Sequence, residues 1–407
     1  MKLDDDISIL KEKYQTFKNS KKQFDLTRGR PSSEQLDLSN NLETIMKGDF
    51  FQDKIDTRNY GLLEGLPSAR KLASWVLNSD PANIFVNGTS SLTLLGHYLH
   101  SLIFHGDGNN VPWKDIRKVS FLCLVPGYDR HFSMLEKLDI KMIPVPLVGD
   151  GPDLDLIENL LETDETIRGI ICVPKHSNPT GDIFSAEKIK ALANIKKDNF
   201  KVIFDNAYAV HDFHKSKKLP NIEKIFIEHD SHDSLVMLGS TSKISLAGSG
   251  LAFMSLSPNG MKNFIDYFSK FSLGSDKVNQ ARHARIFNSK KALNEHMSKL
   301  AKIIKPKFEL VQEKLNTLPK GIAKWTKPTG GYFVSFDSLT GRASKIHSLC
   351  QEAGLKLTPL GATFPYGKDL ENKNIRIAPT QVELGELSKA MDLFCLCVLL
   401  AEGLNQE

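Results

Sequence analysis

The sequence predicts an α/β fold: a mostly parallel sheet with helices on both faces, followed by a second, smaller α+β domain. Three observations carry this. From about residue 84 to 255, short apolar runs alternate with helix-length stretches, the pattern of successive β–α–β units. Polar and small residues gather where those apolar runs end, which is where ligands bind in such sheets. After residue 257 the alternation stops. A long helical region over 258–318, broken near 273–275, then leads into short strands and further helices.

Residues 4–22 read as a charged helix with Ile7, Leu10, Tyr14 and Phe17 along one stripe. The segment 25–33, DLTRGRPSS, is turn-rich. Gly29 permits close backbone approach and Arg28 and Arg30 suit an anion, although a surface turn with two solvated arginines fits the same residues. The run around Tyr60, RNYGLLEGLP, leads into a helix starting near Pro67, where proline suits the first turn. A strand at 84–86 enters Asn87, Gly88, Thr89, Ser90 and Ser91 and then a helix over 92–104. Free N–H groups and the helix dipole there favour phosphate; an ordinary N-cap on Thr89 or Ser90 is the alternative.

The strand 119–125 exits into Pro126, Gly127 and Tyr128, whose ring can stack on a flat ligand or simply pack. A strand at 140–146 and a helix from 154 to 161 follow. The strand 167–173 exits into HSNPTG with Asn178, and a helix covers 186–195. The strand 201–204 exits into Asp205, Asn206, Ala207 and Tyr208. The strand 235–238 breaks at Gly239 into Ser240, Thr241, Ser242 and Lys243. A lysine at a strand mouth among hydroxyls and glycines can be partly desolvated, which lowers its pKa and readies the amine to attack a carbonyl; a solvated loop lysine is the alternative. Beyond the long helices, 330–336 reads as a strand, 343–353 as a helix, 375–378 as a short strand around Arg376, and 382–402 as a closing helix.

Composition narrows the function classes. With 407 residues, 41% of them hydrophobic, the chain can build two or three domains. A net charge of +5 from 53 basic and 48 acidic side chains calls for no nucleic-acid partner. Five cysteines, at 123, 172, 350, 395 and 397, lack CxxC spacing, which argues against a zinc site or a disulfide framework and for a reducing compartment. No apolar run reaches membrane-spanning length, and the first residues are charged, so a soluble cytoplasmic protein without metal or membrane partner is expected.

The ordered set PGYDRHF, HSNPTG, FDNAYAVHDF and GSTSK, with Arg376 in NIRIAP, resembles the fold-type I, pyridoxal-phosphate-dependent aminotransferases of the aspartate aminotransferase superfamily. The wording looks most like the bacterial subgroup Ic aspartate aminotransferases, sometimes labelled MocR-like, and the likeness covers nearly the whole chain. It implies a mostly parallel seven-stranded sheet in a large cofactor-binding domain, residues 46–290, with residues 1–45 and 291–407 forming the small domain. It implies pyridoxal 5'-phosphate on Lys243 by a Schiff base, with Lys243 also carrying the substrate proton. Asp205 would pair with the ring nitrogen and keep it protonated. Tyr208 and Asn178 would meet the ring hydroxyl, and Tyr128 would stack on the ring. Gly88, Thr89, Ser90 and Ser240 would hold the phosphate, with Tyr60 reaching it from the other subunit of a homodimer. Arg376 would grip the substrate α-carboxylate as a guanidinium fork. Gly29, flanked by Arg28 and Arg30, would lie beside the substrate together with Asn178.

The resemblance has one departure. Family members commonly carry a phosphate-binding arginine shortly after the lysine, where this chain has Gly250; Ser240, Thr89 and Ser249 are left to share that task. The expected reaction is transfer of an amino group from aspartate, or a similar dicarboxylic amino acid, to 2-oxoglutarate by a ping-pong route. Arg28, Arg30, Lys277 and Arg282 all qualify as the cation for the distal carboxylate. The alternatives are a pyridoxal-phosphate lyase, an aminotransferase for another amino acid, and a transcriptional regulator on the same fold. The regulator needs a DNA-binding domain ahead of the sheet, and the roughly eighty residues there carry no helix-turn-helix pattern.

Overall fold

The computed structural model describes residues 2–403 apart from 109 and 117, with side chains from residue 7 onward. The outer limits of the expected domain division, residues 1 and 404–407, lie outside the described residues.

A seven-stranded sheet runs in the order Ile84–Val86, Ala252–Leu256, Leu235–Ser240, Lys201–Asp205, Ile167–Cys172, Ser120–Val125, Lys141–Pro146. All neighbours are parallel except Ala252–Leu256, which is antiparallel to both of its neighbours. The period-two geometry of strands sends alternate side chains to opposite cores. Leu122, Leu124, Val202 and Phe204 enter one apolar cluster, while Phe121, Cys123 and Ile203 enter the other. Both faces are therefore buried, which is why these strands read as unbroken apolar runs rather than as alternations.

A third cluster joins the N-terminal helix Lys2–Ser20 to the C-terminal part of the chain. Tyr14, Phe24 and Leu26 pack there with Phe308, Phe336, Ile377 and the apolar stripe of helix Leu384–Gly403. Its sheet is the antiparallel order Ala323–Trp325, Val334–Ser338, Asn374–Ile377. The short strands Phe24–Leu26 and Leu355–Leu357 pair in parallel beside it. Helix Lys290–Leu315 serves both regions: Leu293, Met297 and Leu300 belong to a core of the large sheet, and Ile304, Phe308 and Val311 to the third cluster. The five cysteines are buried free thiols. Among the described residues, no helix is long and apolar enough to cross a membrane.

Several elements differ from the sequence expectations. The strand expected at 330–336 begins at Val334, because Gly330 and Gly331 instead turn tightly around His176, with Gly331 at φ +81°. A Cβ on Gly330 would overlap His176 Nε2 and the His211 carbonyl. Gly330→Ala is thus expected to lower unfolding stability by about 1–3 kcal/mol, checked by thermal or denaturant unfolding; an unchanged transition would refute the packing argument. The helices Asp129–Lys137 and Ile222–Glu228 and the strand Ala252–Leu256 carried no expectation of their own.

Candidate active site

The carboxyl ends of the parallel strands converge on a cavity of about 130 Å³, lined by Ser90, Tyr128, Asn178, Asp205, Tyr208, Ser240, Ser242 and Lys243. It adjoins an outer cavity of about 730 Å³, where Arg28, Gly29, Arg30, Arg130 and Arg376 join Tyr128, Tyr208 and Lys243. Each strand delivers its exit residues here because the sheet ends abruptly: Ser240 closes its strand, and Lys243 follows in a turn fixed by the Ile244 and Ser245 amides donating to the Thr241 carbonyl.

Lys243 lines both cavities. Its Nζ stands 5.0 Å from the centre of the Tyr208 ring and 5.8 Å from that of Tyr332. Burial lowers its amine below the ordinary lysine value, against the opposing pull of the Asp205 carboxylate. Asp205 is buried and meets the equally buried His131 Nε2 at 3.0 Å, while the Ala207 amide donates to its other oxygen at 3.2 Å. Burial raises the phenols of Tyr208 and Tyr128 far above their usual range, with Asp205 adding to both.

Arg376 reaches the site from strand Asn374–Ile377 and is 5% exposed. Its Nη1 donates to Asp129 Oδ1 at 2.8 Å and to Asn178 Oδ1 at 3.3 Å, its Nε donates to Thr358 Oγ1 at 3.2 Å, and its guanidinium carbon lies 4.8 Å from the Phe333 ring centre. Gly29 is pressed against that same ring: a Cβ there would come within 2.6 Å of the Phe333 Cζ. The glycine between the two arginines is therefore a packing requirement.

Other expected residues fall elsewhere. Gly88, at φ +70°, and Thr89 are exposed at the rim; the Thr89 carbonyl accepts from Ser242 Oγ at 3.2 Å. Tyr60 lines neither cavity of its own chain and is 81% exposed. Lys277 is buried and spends its amine on the Gly61 carbonyl at 2.9 Å, and Arg282 also lies outside both linings. The absence of arginine at Gly250 has a local cause: a Cβ there would stand 2.9 Å from the Ser242 amide nitrogen. Asn279 holds this loop by donating to the Ser249 and Gly250 carbonyls.

Sequence reasoning passed over His131, Asp129, Arg130 and Ser242. Three of them sit in the PGYDRHF run. They lie in the first turn of helix Asp129–Lys137, which starts at a strand exit; Asp129 and Arg130 line the outer cavity and His131 turns inward to Asp205.

Comparison with known proteins extends this local picture to the whole chain. The family model described as aspartate amino-transferase matches residues 2–406. A Mycolicibacterium smegmatis protein named provisionally as an aminotransferase is 40% identical over 388 residues, 93% of this chain and 91% of its own. An aspartate aminotransferase of Corynebacterium glutamicum is 38% identical over 402 residues, 96% of this chain and 92% of its own. The crystal structure of an aspartate transaminase from that organism superposes with a TM-score of 0.96 at 36% identity, covering 100% of this chain and 97% of the other. Sequence and backbone agree over nearly the whole chain, so the chain is an aminotransferase and belongs to the aspartate amino-transferase family.

Proposed function

We propose that this aminotransferase uses pyridoxal 5'-phosphate to move the amino group of aspartate, or a similar dicarboxylic amino acid, to 2-oxoglutarate, and works in the cytoplasm as a homodimer to which Tyr60 contributes across the interface. The proposed architecture has a large unit over residues 46–290 and a small one from 1–45 and 291–407. The observation that carries the reading is that a desolvated Lys243 amine and a buried Asp205 carboxylate line one cavity, and that Lys243 also lines the adjoining cavity with Arg376.

The donor set fits the cofactor. An acidic group for a ring nitrogen, a phenol and an amide for a ring hydroxyl, an aromatic face at Tyr128, and the hydroxyls of Ser90, Ser240 and Ser242 for a phosphate all line the inner cavity. When bound, pyridoxal phosphate supplies an electron sink for the charge left on the amino acid's Cα. The chain's own groups do the rest. Lys243 Nζ would hold the cofactor and then carry the proton from the amino acid's Cα to the cofactor's C4′ carbon. Asp205, itself held by His131, keeps positive charge on the ring nitrogen. Arg376 binds the α-carboxylate, and the Phe333 ring limits water beneath its guanidinium. An absorbance spectrum of purified protein, followed by single additions of aspartate, alanine, aromatic amino acids and cystathionine, tests the reading. A colourless protein, or a spectrum that no amino acid changes, defeats it.

Three substitutions address the substrate. Arg376 binds the group common to all amino acids, so selection falls to the cations of the outer cavity. We assign it to Arg30, which is exposed toward that cavity, with Arg28 behind it. Arg30→Ala should lower kcat/KM for aspartate far more than for alanine, whereas Arg376→Ala should lower both; equal losses would reject Arg30. Asp129 holds Arg376 by an ion pair that an incoming carboxylate must replace. Asp129→Asn should therefore lower KM for amino acids by roughly fivefold, about 1 kcal/mol of lost competition. A raised KM in steady-state assays would instead make Asp129 a support for the arginine.

A further inference from the structure

His211 has no part in the scheme above, yet it touches three components of the site at once. Its side chain is buried, and its Nε2–H donates to the Lys243 carbonyl at 3.2 Å. Its ring meets Tyr208 edge-on, at 5.9 Å between centres and 79°, and Tyr332 likewise at 5.8 Å and 80°. These are the two rings that flank the Lys243 amine. The His211 carbonyl accepts from the Gly331 amide at 3.0 Å, which fixes the Gly330–Gly331 peptide just ahead of Tyr332. Tyr332 is held from its far end as well, where Gln35 Nε2 donates to its hydroxyl at 2.8 Å.

The environment selects one form of this histidine. Burial pushes its pKa down to about 3, against the raising effect of the bond to Lys243. The ring is neutral at any working pH, and because Nε2 faces a carbonyl, the proton must sit on Nε2. Nδ1 is buried and has no hydrogen-bond partner among the described residues. An unmet buried acceptor is unfavourable. A phenylalanine or leucine would fill the space without that cost, so packing alone gives no reason for histidine here. The Nε2–H does: Lys243 follows its strand in a turn, and its carbonyl lies outside the sheet ladder, which ends at Ser240.

We propose that His211 is a positioning residue for the reactive amine: its imidazole ties the Lys243 peptide to the Tyr208 and Tyr332 rings and thereby sets where the lysine side chain starts and which faces it slides between. A lysine side chain has four rotatable bonds, so a rotation of its peptide is carried to the far end as a displacement of the amine. Small misplacements of a reacting group are costly in rate while leaving substrate binding intact.

The inference rests on the assignment of Lys243 as the cofactor lysine, so borohydride fixation and peptide mapping of wild-type holoenzyme come first. If Lys243 is not labelled, both readings fall. If it is labelled, three variants are compared. His211→Gln keeps a donor at the same reach, His211→Phe keeps the ring without the donor, and His211→Asn is polar but too short. The expected result is that the Phe and Asn variants lose about tenfold in kcat with KM changed less than about twofold. They should also show an altered visible circular dichroism of the lysine-bound cofactor, and the Gln variant should recover most of both. If the Phe variant does not fold, the Gln and Asn pair carries the same contrast. A Phe or Asn variant with wild-type kcat and dichroism overturns the proposal. So does a Gln variant as impaired as the other two, which would mean that His211 acts by ring packing alone.

Discussion

Lys243→Ala is expected to abolish transamination, lowering turnover by at least about 10⁴-fold, roughly 5.5 kcal/mol in the barrier. The size of the loss follows from the two tasks proposed for this one nitrogen: holding the cofactor and carrying the Cα proton. No neighbour can take over. Tyr208 is held protonated by burial, and His131 is already engaged with Asp205. The same substitution should leave the fold intact or slightly more stable, because it removes an amine that burial disfavours in its charged form. A variant with undiminished melting temperature, reversible cofactor binding and no turnover is the expected outcome. Turnover within tenfold of wild type would remove Lys243 from the chemistry.

The second large effect is expected at Asp205. Asp205→Asn keeps the shape and one oxygen but removes the charge, and the loss should reach several kcal/mol, on the order of 10³-fold in kcat, with cofactor still bound. His131 makes this sharper than a test of one residue. Its Nε2 lies 3.0 Å from the carboxylate, and both groups are buried, so the two act as one unit. Replacing His131 by Phe should cost less than the Asp205 change, and the double variant should cost less than the sum. Strict additivity would mean that His131 fills space rather than supporting the charge. Near wild-type turnover in Asp205→Asn would end the electron-sink role.

Much of this site is legible in the sequence because strand exits are legible. Asn178, Asp205, Tyr208, Ser240 and Lys243 each follow an apolar run buried on both faces, and such runs stand out from their polar ends. What the sequence withholds is direction. The run Ala252–Leu256 looks like any buried strand, and nothing in its residues says that it is antiparallel. His131 and Asp129 lie in a helix whose first turn is too short to show a period, so their aim at Asp205 and Arg376 appears only once the helix is placed. Gly330 and Gly331 read as part of a strand because glycine says nothing about which neighbour presses on it; that neighbour is His176, more than 150 positions away in the chain. Gly250 is the converse case: its departure from the common pattern is plain in the sequence, and its cause, the Ser242 amide, is not.

The 26-residue helix Lys290–Leu315 makes the molecule hard to take apart. Its first half is walled by the large sheet's core and its second half by the third cluster, with Pro306 just beyond the changeover between Leu300 and Ile304. A chain severed at residue 290 would leave one fragment without Leu293, Met297 and Leu300 to close its core. The other would carry those side chains bare in water. Such a cut would unmake both cores at once, because one continuous rod rather than a slack tether is shared between them.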